Sequence, residues 1–210
     1  MSGTDTLTPQ QVEAEGLADW RVLFQALHAR YRTGDFATGL RLVEAIGAAA
    51  EEMDHHPDLD LRYGQVHVRL FSHDVFGVTS RDTTLARRIS KLAAGLGVTA
   101  VPAAVQVLEI ALDSAQPDAI KPFWRAVLGL QDSPLHDELI DGRGILPTLW
   151  FQQTVAHEEP RQRFHLDIRV PPRRRSRAWR PRSVRAARWS ATTVPRRSGC
   201  WPTPRATRPV

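Results

Sequence analysis

One cysteine, Cys200, stands in 210 residues. A disulfide framework and a cysteine-based zinc site within one chain are thereby excluded, and a cytoplasmic location is the expectation. Long apolar runs are lacking too. Nothing approaches the roughly 20 consecutive apolar residues that span a bilayer, so no membrane helix is expected. The opening MSGTDTLTPQQVEAEG has neither a basic n-region nor an apolar h-region, so it does not read as a secretory signal. Acidic residues and lysine are absent from residues 171–210, which contain 12 arginines. That one segment accounts for the net charge of +5: the rest of the chain sets 16 basic residues against 23 acidic ones. The body therefore carries no electrostatic footprint for nucleic acid.

What is present is enough for a globular core, with 42% hydrophobic residues. In the first hundred residues, LTPQQVEAEG predicts a short helix. DWRVLFQALHARYRT predicts two short strands or a hairpin without an obvious turn dipeptide. Asp35 is a candidate N-cap for the helix FATGLRLVEAIGAAAEEM, whose residues Phe36, Leu40, Val43, Ala50 and Met53 recur at helical spacing and predict a buried face. Pro57 disfavours helical geometry at His56 and marks the end of that helix. YGQVHVRLFSH alternates, with Val66, Val68 and Leu70 on one side and His67, Arg69, Phe71 and His73 on the other. VTSRDTTLARRISKLAAGLG predicts a second amphipathic helix with Leu85, Ile89, Leu92 and Leu96 inward, Thr79 and Asp82 as a capping box, and Gly95 and Gly97 at its end. Arg87, Arg88 and Lys91 fall on its solvated face.

The chemistry gathers at EEMDHHPDLDL, residues 51–61. Glu51, His55-His56-Pro57, Tyr63, His73 and Asp82 together resemble the signature of the pterin-4a-carbinolamine dehydratases. The DW before the strands, the DF opening the helix and the SH followed by GVTSRD and LA fall where that family has them. The resemblance covers about residues 7–98. Leu59 departs from it, since an aromatic residue is common there.

The resemblance implies a hydro-lyase acting on a tetrahydropterin that carries a hydroxyl on C4a. Water leaves to give a quinonoid dihydropterin, in the recycling of a pterin cofactor used by an aromatic amino acid hydroxylase. Loss of water needs an acid for the departing hydroxyl and a base for a ring proton. Histidine serves for both, because its pKa near 6.5 populates both forms at neutral pH. By resemblance His55 and His73 form the acid–base pair, and His56, Pro57, Glu51 and Asp82 bind or position the substrate. Adjacent residues of an extended loop point to opposite sides, so His55 and His56 should have unequal roles. Asp82 is expected to act chiefly as the helix cap. No cofactor is implied beyond the pterin substrate, and no metal: two adjacent histidines rarely bind one ion together. His67 is expected to be a structural or interface residue, and His28 and His136 carry no signal. A homo-oligomer and a hydroxylase partner are implied.

From residue 103 onward VQVLEIALD, PDAIKPFWRAVLGL, DELIDGRGILPTLWFQQ and QRFHLDIRVP predict the order β-α-β-β-β. LEIALDSAQPDAIKPFWRAVLGL and LWFQQ with FHLDIRVP resemble the first repeat of a glyoxalase-like module of the vicinal-oxygen-chelate superfamily. Glu109 and His165 fall near strand positions from which metal-binding members draw ligands, although a metal-free module is expected. The second repeat is missing, and an arginine-rich segment stands in its place. Codons compatible with residues 193–210, read from their third base, give GAAAFWVLADPEGNEAC, which fits the closing strands of such a module. A reading-frame shift near Pro171 is therefore expected, against the alternative of a genuine basic tail that binds nucleic acid through its arginines and Trp179, Trp189 and Trp201.

The expectation is thus an α+β protein with four parts. Residues 1–98 form an antiparallel sheet with two main helices on one face, 99–104 a linker, 105–170 a partial glyoxalase-like domain, and 171–210 a tail that does not fold alone. The alternative to an enzyme is a dimerisation or binding module of the transcription-coactivator kind, since fold does not fix function.

Overall fold

The computed structural model describes residues 5–134, 137–156 and 164–169. They form two units, divided between Gln106 and Val107. Among the described residues no helix is long and apolar enough to cross a membrane.

The first unit opens with α1 (Pro9–Ala14), held by a capping box in which Thr8 and Gln11 exchange bonds. A hairpin follows, β1 (Arg21–Leu23) and β2 (Ala26–Arg32). Its two turn residues, Phe24 and Gln25, lie at φ 51° and 54°. Left-handed backbone at both positions suits a tight hairpin, but glycine or asparagine usually supplies it. Neither stands here, which is why the turn has no sequence signal.

Helix α2 (Phe36–Met53) begins where Asp35 accepts the backbone N–H of Thr38 at 2.7 Å, as expected. Its buried stripe is Gly39, Leu42, Ile46, Ala49 and Ala50. Phe36 and Leu40, expected inside, are 49% and 43% exposed. The apolar residues cover more than one face, and packing selects the face whose side chains let the helix lie close to the sheet. Gly39 shows this: a Cβ there would meet Leu61 Cδ1 at 2.6 Å. The helix ends three residues before the proline, at Asp54, which adopts left-handed geometry (φ 47°) as its C-cap. Pro57 is not what stops it.

β3 (Asp58–Arg62) and β4 (Gln65–Leu70) then pair antiparallel. In β4 the expected alternation holds: Val66, Val68 and Leu70 are fully buried, and Gln65, His67 and Arg69 are partly exposed. Helix α3 (Ser80–Gly95) has the expected Thr79–Asp82 capping box, and Leu85, Ala86, Ile89 and Ala93 face the core. Leu96 is 36% exposed rather than part of that stripe. Arg87 and Arg88 sit on the outer side, paired with Glu15 and Glu52. Residues 99–104, read from the sequence as a linker, carry β5 (Thr99–Ala100), paired with β2, and a short 3-10 turn, Pro102–Ala104. The sheet is antiparallel with order β1-β2-β4-β3, and β5 extends the β1 side. One core gathers Leu27, Tyr31, Leu42, Ile46, Val66, Val68, Leu85 and Ile89. Each such large apolar side chain contributes about 1.5–3 kcal/mol by leaving water. Trp20 seals one end, donating from Nε1 to Ser90 Oγ at 3.1 Å.

The second unit carries the expected β-α-β-β-β elements and one more short strand directly after the helix. It comprises β6 (Val107–Ser114), α4 (Pro117–Leu128), β7 (Gln131–Asp132), β8 (Glu138–Ile140), β9 (Thr148–Gln153) and β10 (Phe164–Arg169). The sheet order is β10-β6-β9-β8-β7, with β6 and β9 parallel and the other pairs antiparallel. Its core is small: Leu112, Leu130, Leu139, Leu149 and Phe151, with Ile120, Trp124 and Leu128 of α4 packed against it. Phe123 and Val127, on the same helix, are 60% and 59% exposed. His136 and the arginine-rich segment lie outside the described residues.

Candidate active site

The site is built where α2 ends, β4 ends and α3 begins. The chain leaves α2 through the left-handed Asp54, and the backbone N–H of His55 still bonds to the Ala50 carbonyl at 3.1 Å. This short tether turns the His55 ring inward, where the residue is 7% exposed. Its Nε2 lies 2.8 Å from Asp82 Oδ1. The other oxygen of Asp82 accepts from Ser72 Oγ at 2.7 Å, from the Thr79 backbone N–H at 2.7 Å and from Thr79 Oγ1 at 3.2 Å. Asp82 is wholly buried. A buried carboxylate is costly unless such donors surround it.

Asp82 therefore does two things at once. It completes the α3 capping box, as the sequence predicts, and it holds the His55 ring, which the cap alone does not require. A carboxylate accepts only, so His55 Nε2 carries a hydrogen and the ring's Nδ1 has no protein partner among the described residues. Ser72 and Thr79 are the members that sequence reasoning missed. Each reads as an ordinary loop or cap residue until the sheet end and the helix start are brought together.

His56 points the other way. Its Nε2 lies 3.0 Å from Glu51 Oε1, with the two side chains 55% and 78% exposed. Glu51 lies in the last turn of α2, and its carboxylate reaches His56. Pro57 follows, half-buried, directly before β3.

His73 lies just past β4, exposed, next in the chain to the buried Ser72. Its ring stands edge-on to Phe71 at 5.1 Å, and Phe71 meets Phe76 in the same manner at 6.2 Å. Arg69 lies over Phe71 at 4.7 Å. Phe76 has left-handed backbone (φ 50°) in the turn closed by the Ser72–Gly77 bridge. These aromatics were not singled out from sequence, where Phe71 reads as an outward strand position. Beside them Arg81 bonds Asp74 at 2.6 Å and holds that carboxyl below the usual carboxylate range, with a smaller contribution from nearby His55.

The structure thus joins His55 to Asp82 and Asp82 to Ser72, the residue before His73. His56 and Glu51 form a separate exposed pair. No hydrogen bond or ion pair among the described residues joins His55 directly to His73. Tyr63, part of the sequence signature, sits at the β3–β4 turn, 82% exposed. Among the described residues no group of three or more His, Cys, Asp or Glu side chains could hold a metal ion. In the second unit Glu109 is buried, and in the β6–β10 register Glu109 pairs with Asp167 and Ala111 with His165.

Comparison with known proteins agrees with this layout. Residues 5–92 match the family described as Pterin 4 alpha carbinolamine dehydratase, and residues 109–201 match a glyoxalase-like domain. The second match runs past the described residues into the arginine-rich segment. A protein of Thermomicrobium roseum, provisionally named pterin-4-alpha-carbinolamine dehydratase, is 38% identical over 74 residues, which is 35% of this chain and 80% of the relative. A likewise named protein of Mycobacterium leprae is 39% identical over 88 residues, 41% of this chain and 94% of the relative. A crystal structure of a transcriptional coactivator/pterin dehydratase from Brucella melitensis is 28% identical, covering 42% of this chain and 99% of that one, with a TM-score of 0.41. Through its first unit the chain belongs to the pterin 4 alpha carbinolamine dehydratase family, and a glyoxalase-like domain follows.

Proposed function

We propose that the first unit dehydrates a 4a-hydroxytetrahydropterin to the quinonoid dihydropterin, with His55 and His73 as the proton-transferring residues. The observation that carries the reading is the buried His55–Asp82 pair. Burial beside a carboxylate held by three donors fixes the ring's orientation and gives its protonated form a counter-ion. Nδ1, which no group among the described residues engages, is left to take or give a proton.

The chemistry balances without an oxidant or reductant. The C4a–O bond breaks as the lone pair of N5 forms a C=N bond. One residue protonates the departing hydroxyl, which leaves as water, and the other removes a proton from the ring. Neutral His55 suits proton removal, because Nδ1, without a partner among the described residues, carries the lone pair when Nε2–H bonds to Asp82. His73, open to solvent beside Phe71, suits the hydroxyl that leaves as water. Glu51 and His56 would then meet the polar edge of the pterin, and Phe71 and Phe76 would supply apolar contact for its flat face. Positioned acid–base catalysis of this kind contributes about 10²–10⁴-fold. The homo-oligomer and the hydroxylase partner belong to the same reading.

The test is dehydration of chemically generated 4a-hydroxytetrahydropterin by the purified chain, beside His55→Ala and His73→Ala. Acceleration over the buffer rate, cut about 10²-fold or more in each variant, supports the reading. Failure of the wild-type protein to accelerate the reaction leaves only a binding role.

A further inference from the structure

We propose that the open face of the first unit's sheet holds a phosphate-binding site made by Arg30, Arg62, Gln65 and His67. The helices cover one face of this sheet, and strand alternation sends a second set of residues to the other. Register then aligns them in rows: Arg30 and Asp60 flank His67, and Arg32 and Arg62 flank Gln65. Arg30, Asp60, Arg62, Gln65 and His67 line a cleft of about 280 Å³.

Two features point to an anion. The carboxylates of this face are already engaged: Asp60 binds Arg62 Nε through both oxygens, at 2.8 and 3.1 Å, and Asp58 binds Arg69 at 2.6 Å. Among the described residues Arg30 has no such partner, and its Nε is shut away from solvent without a hydrogen bond. A buried donor left unmade costs about 1–3 kcal/mol, and native proteins rarely keep one idle. A ligand oxygen is the missing acceptor, and the guanidinium fork matches phosphate geometry.

The histidines add a proton to the argument. His28 Nε2 lies 3.1 Å from the Leu23 carbonyl, so that nitrogen carries a hydrogen. Its Nδ1, 3.3 Å from His67 Nε2, is then the acceptor of the pair, and the rings stack at 5.4 Å. Neutral His67 is left with a lone pair on Nδ1, which repels an anion. Burial and Arg30 keep its pKa below the ordinary value, with Arg69 and Arg62 adding to this and Asp60 opposing it. A bound phosphate reverses that balance, and His67 takes up a proton and becomes a further donor. Phosphate binding and protonation of His67 are therefore coupled, and binding of the phosphate dianion tightens as the pH falls.

The experiment is an NMR titration of the His67 ring protons in the full chain with inorganic phosphate at constant ionic strength, chloride serving as control. A saturable shift with phosphate alone, tighter at pH 6 than at pH 8 when affinity is expressed per phosphate dianion, supports the site. Arg30→Ala should weaken it about tenfold or more. Gln65→Glu, a substitution at a partly exposed position that places a carboxylate in the cleft, should abolish it even if the arginine variant fails to fold. Glycerol 3-phosphate distinguishes the source: binding at least as tight assigns the cleft to a phosphomonoester, and weaker binding to the free ion. An equal response to chloride, or a phosphate response unchanged by Gln65→Glu, overturns the proposal.

Discussion

The first unit buries histidine in two regions, and their surroundings differ in kind. At the helix ends His55 faces Asp82, a carboxylate with its own ring of donors. On the open sheet face His28 stacks against His67 among arginines, and burial, then His67 and Arg69, push its pKa down to about 3. In the first region the fold supplies a counter-ion for an imidazolium; in the second it withholds one. Residue type and burial are alike, and the charge of the partner is what differs.

The sharpest way to break this contrast is Asp82→Asn. An amide brings a donor where four hydrogens now converge, so the His55 ring loses its counter-ion and its set tautomer. Activity should fall about 10²–10⁴-fold. The loss should lie in kcat with little change in KM, because a positioning residue acts through His55 and not through the substrate. Unfolding in urea should show the structural side of the same change, a loss of about 1–3 kcal/mol.

The second region predicts acid sensitivity. The unfolded chain protonates His28 near the ordinary 6.5, whereas the folded chain does so only near 3. Falling pH therefore favours the unfolded state. Stability from this group is whole above about pH 6.5 and is lost between there and about 3, at about 1.4 kcal/mol per pH unit. Urea midpoints at pH 7 and 4.5 should differ less in His28→Leu than in the wild type. Equal differences would mean that the ring is not held neutral by the fold.

The smallest effect belongs to the exposed pair. Glu51→Ala removes a solvent-facing contact to His56, which should cost at most about 1 kcal/mol in thermal or urea unfolding. If the pair meets substrate, KM should rise while kcat stays near the wild-type value.

The sheet and helices are largely legible in the sequence, because β4 alternates cleanly and α3 announces its own cap. Family resemblance pointed to the histidines. Other features depend on partners distant in the chain. Helical spacing puts Phe36, Leu40, Val43, Ala50 and Met53 on one α2 stripe; Val43, Ala50 and Met53 do meet the core, but close approach at Gly39 turns the start of the helix toward Leu42 and Ile46 and leaves Phe36 and Leu40 outside. The β1–β2 turn uses left-handed Phe24 and Gln25, residues that carry no turn signal. Asp82 read as a cap because the local pattern Thr79-x-x-Asp82 already explains it, and only the fold brings His55 to its other oxygen. His28 gave no sign because its neighbour His67 is set by strand register.

The central claim is that the buried, carboxylate-held imidazole of His55 moves a proton during loss of water from the pterin. Stopped-flow measurement of 4a-hydroxytetrahydropterin decay tests it most directly, with wild-type chain and His55→Ala compared at one pH. The account predicts acceleration by the wild type and a fall of about 10²-fold or more in the variant. Equal rates in the two folded proteins would contradict it.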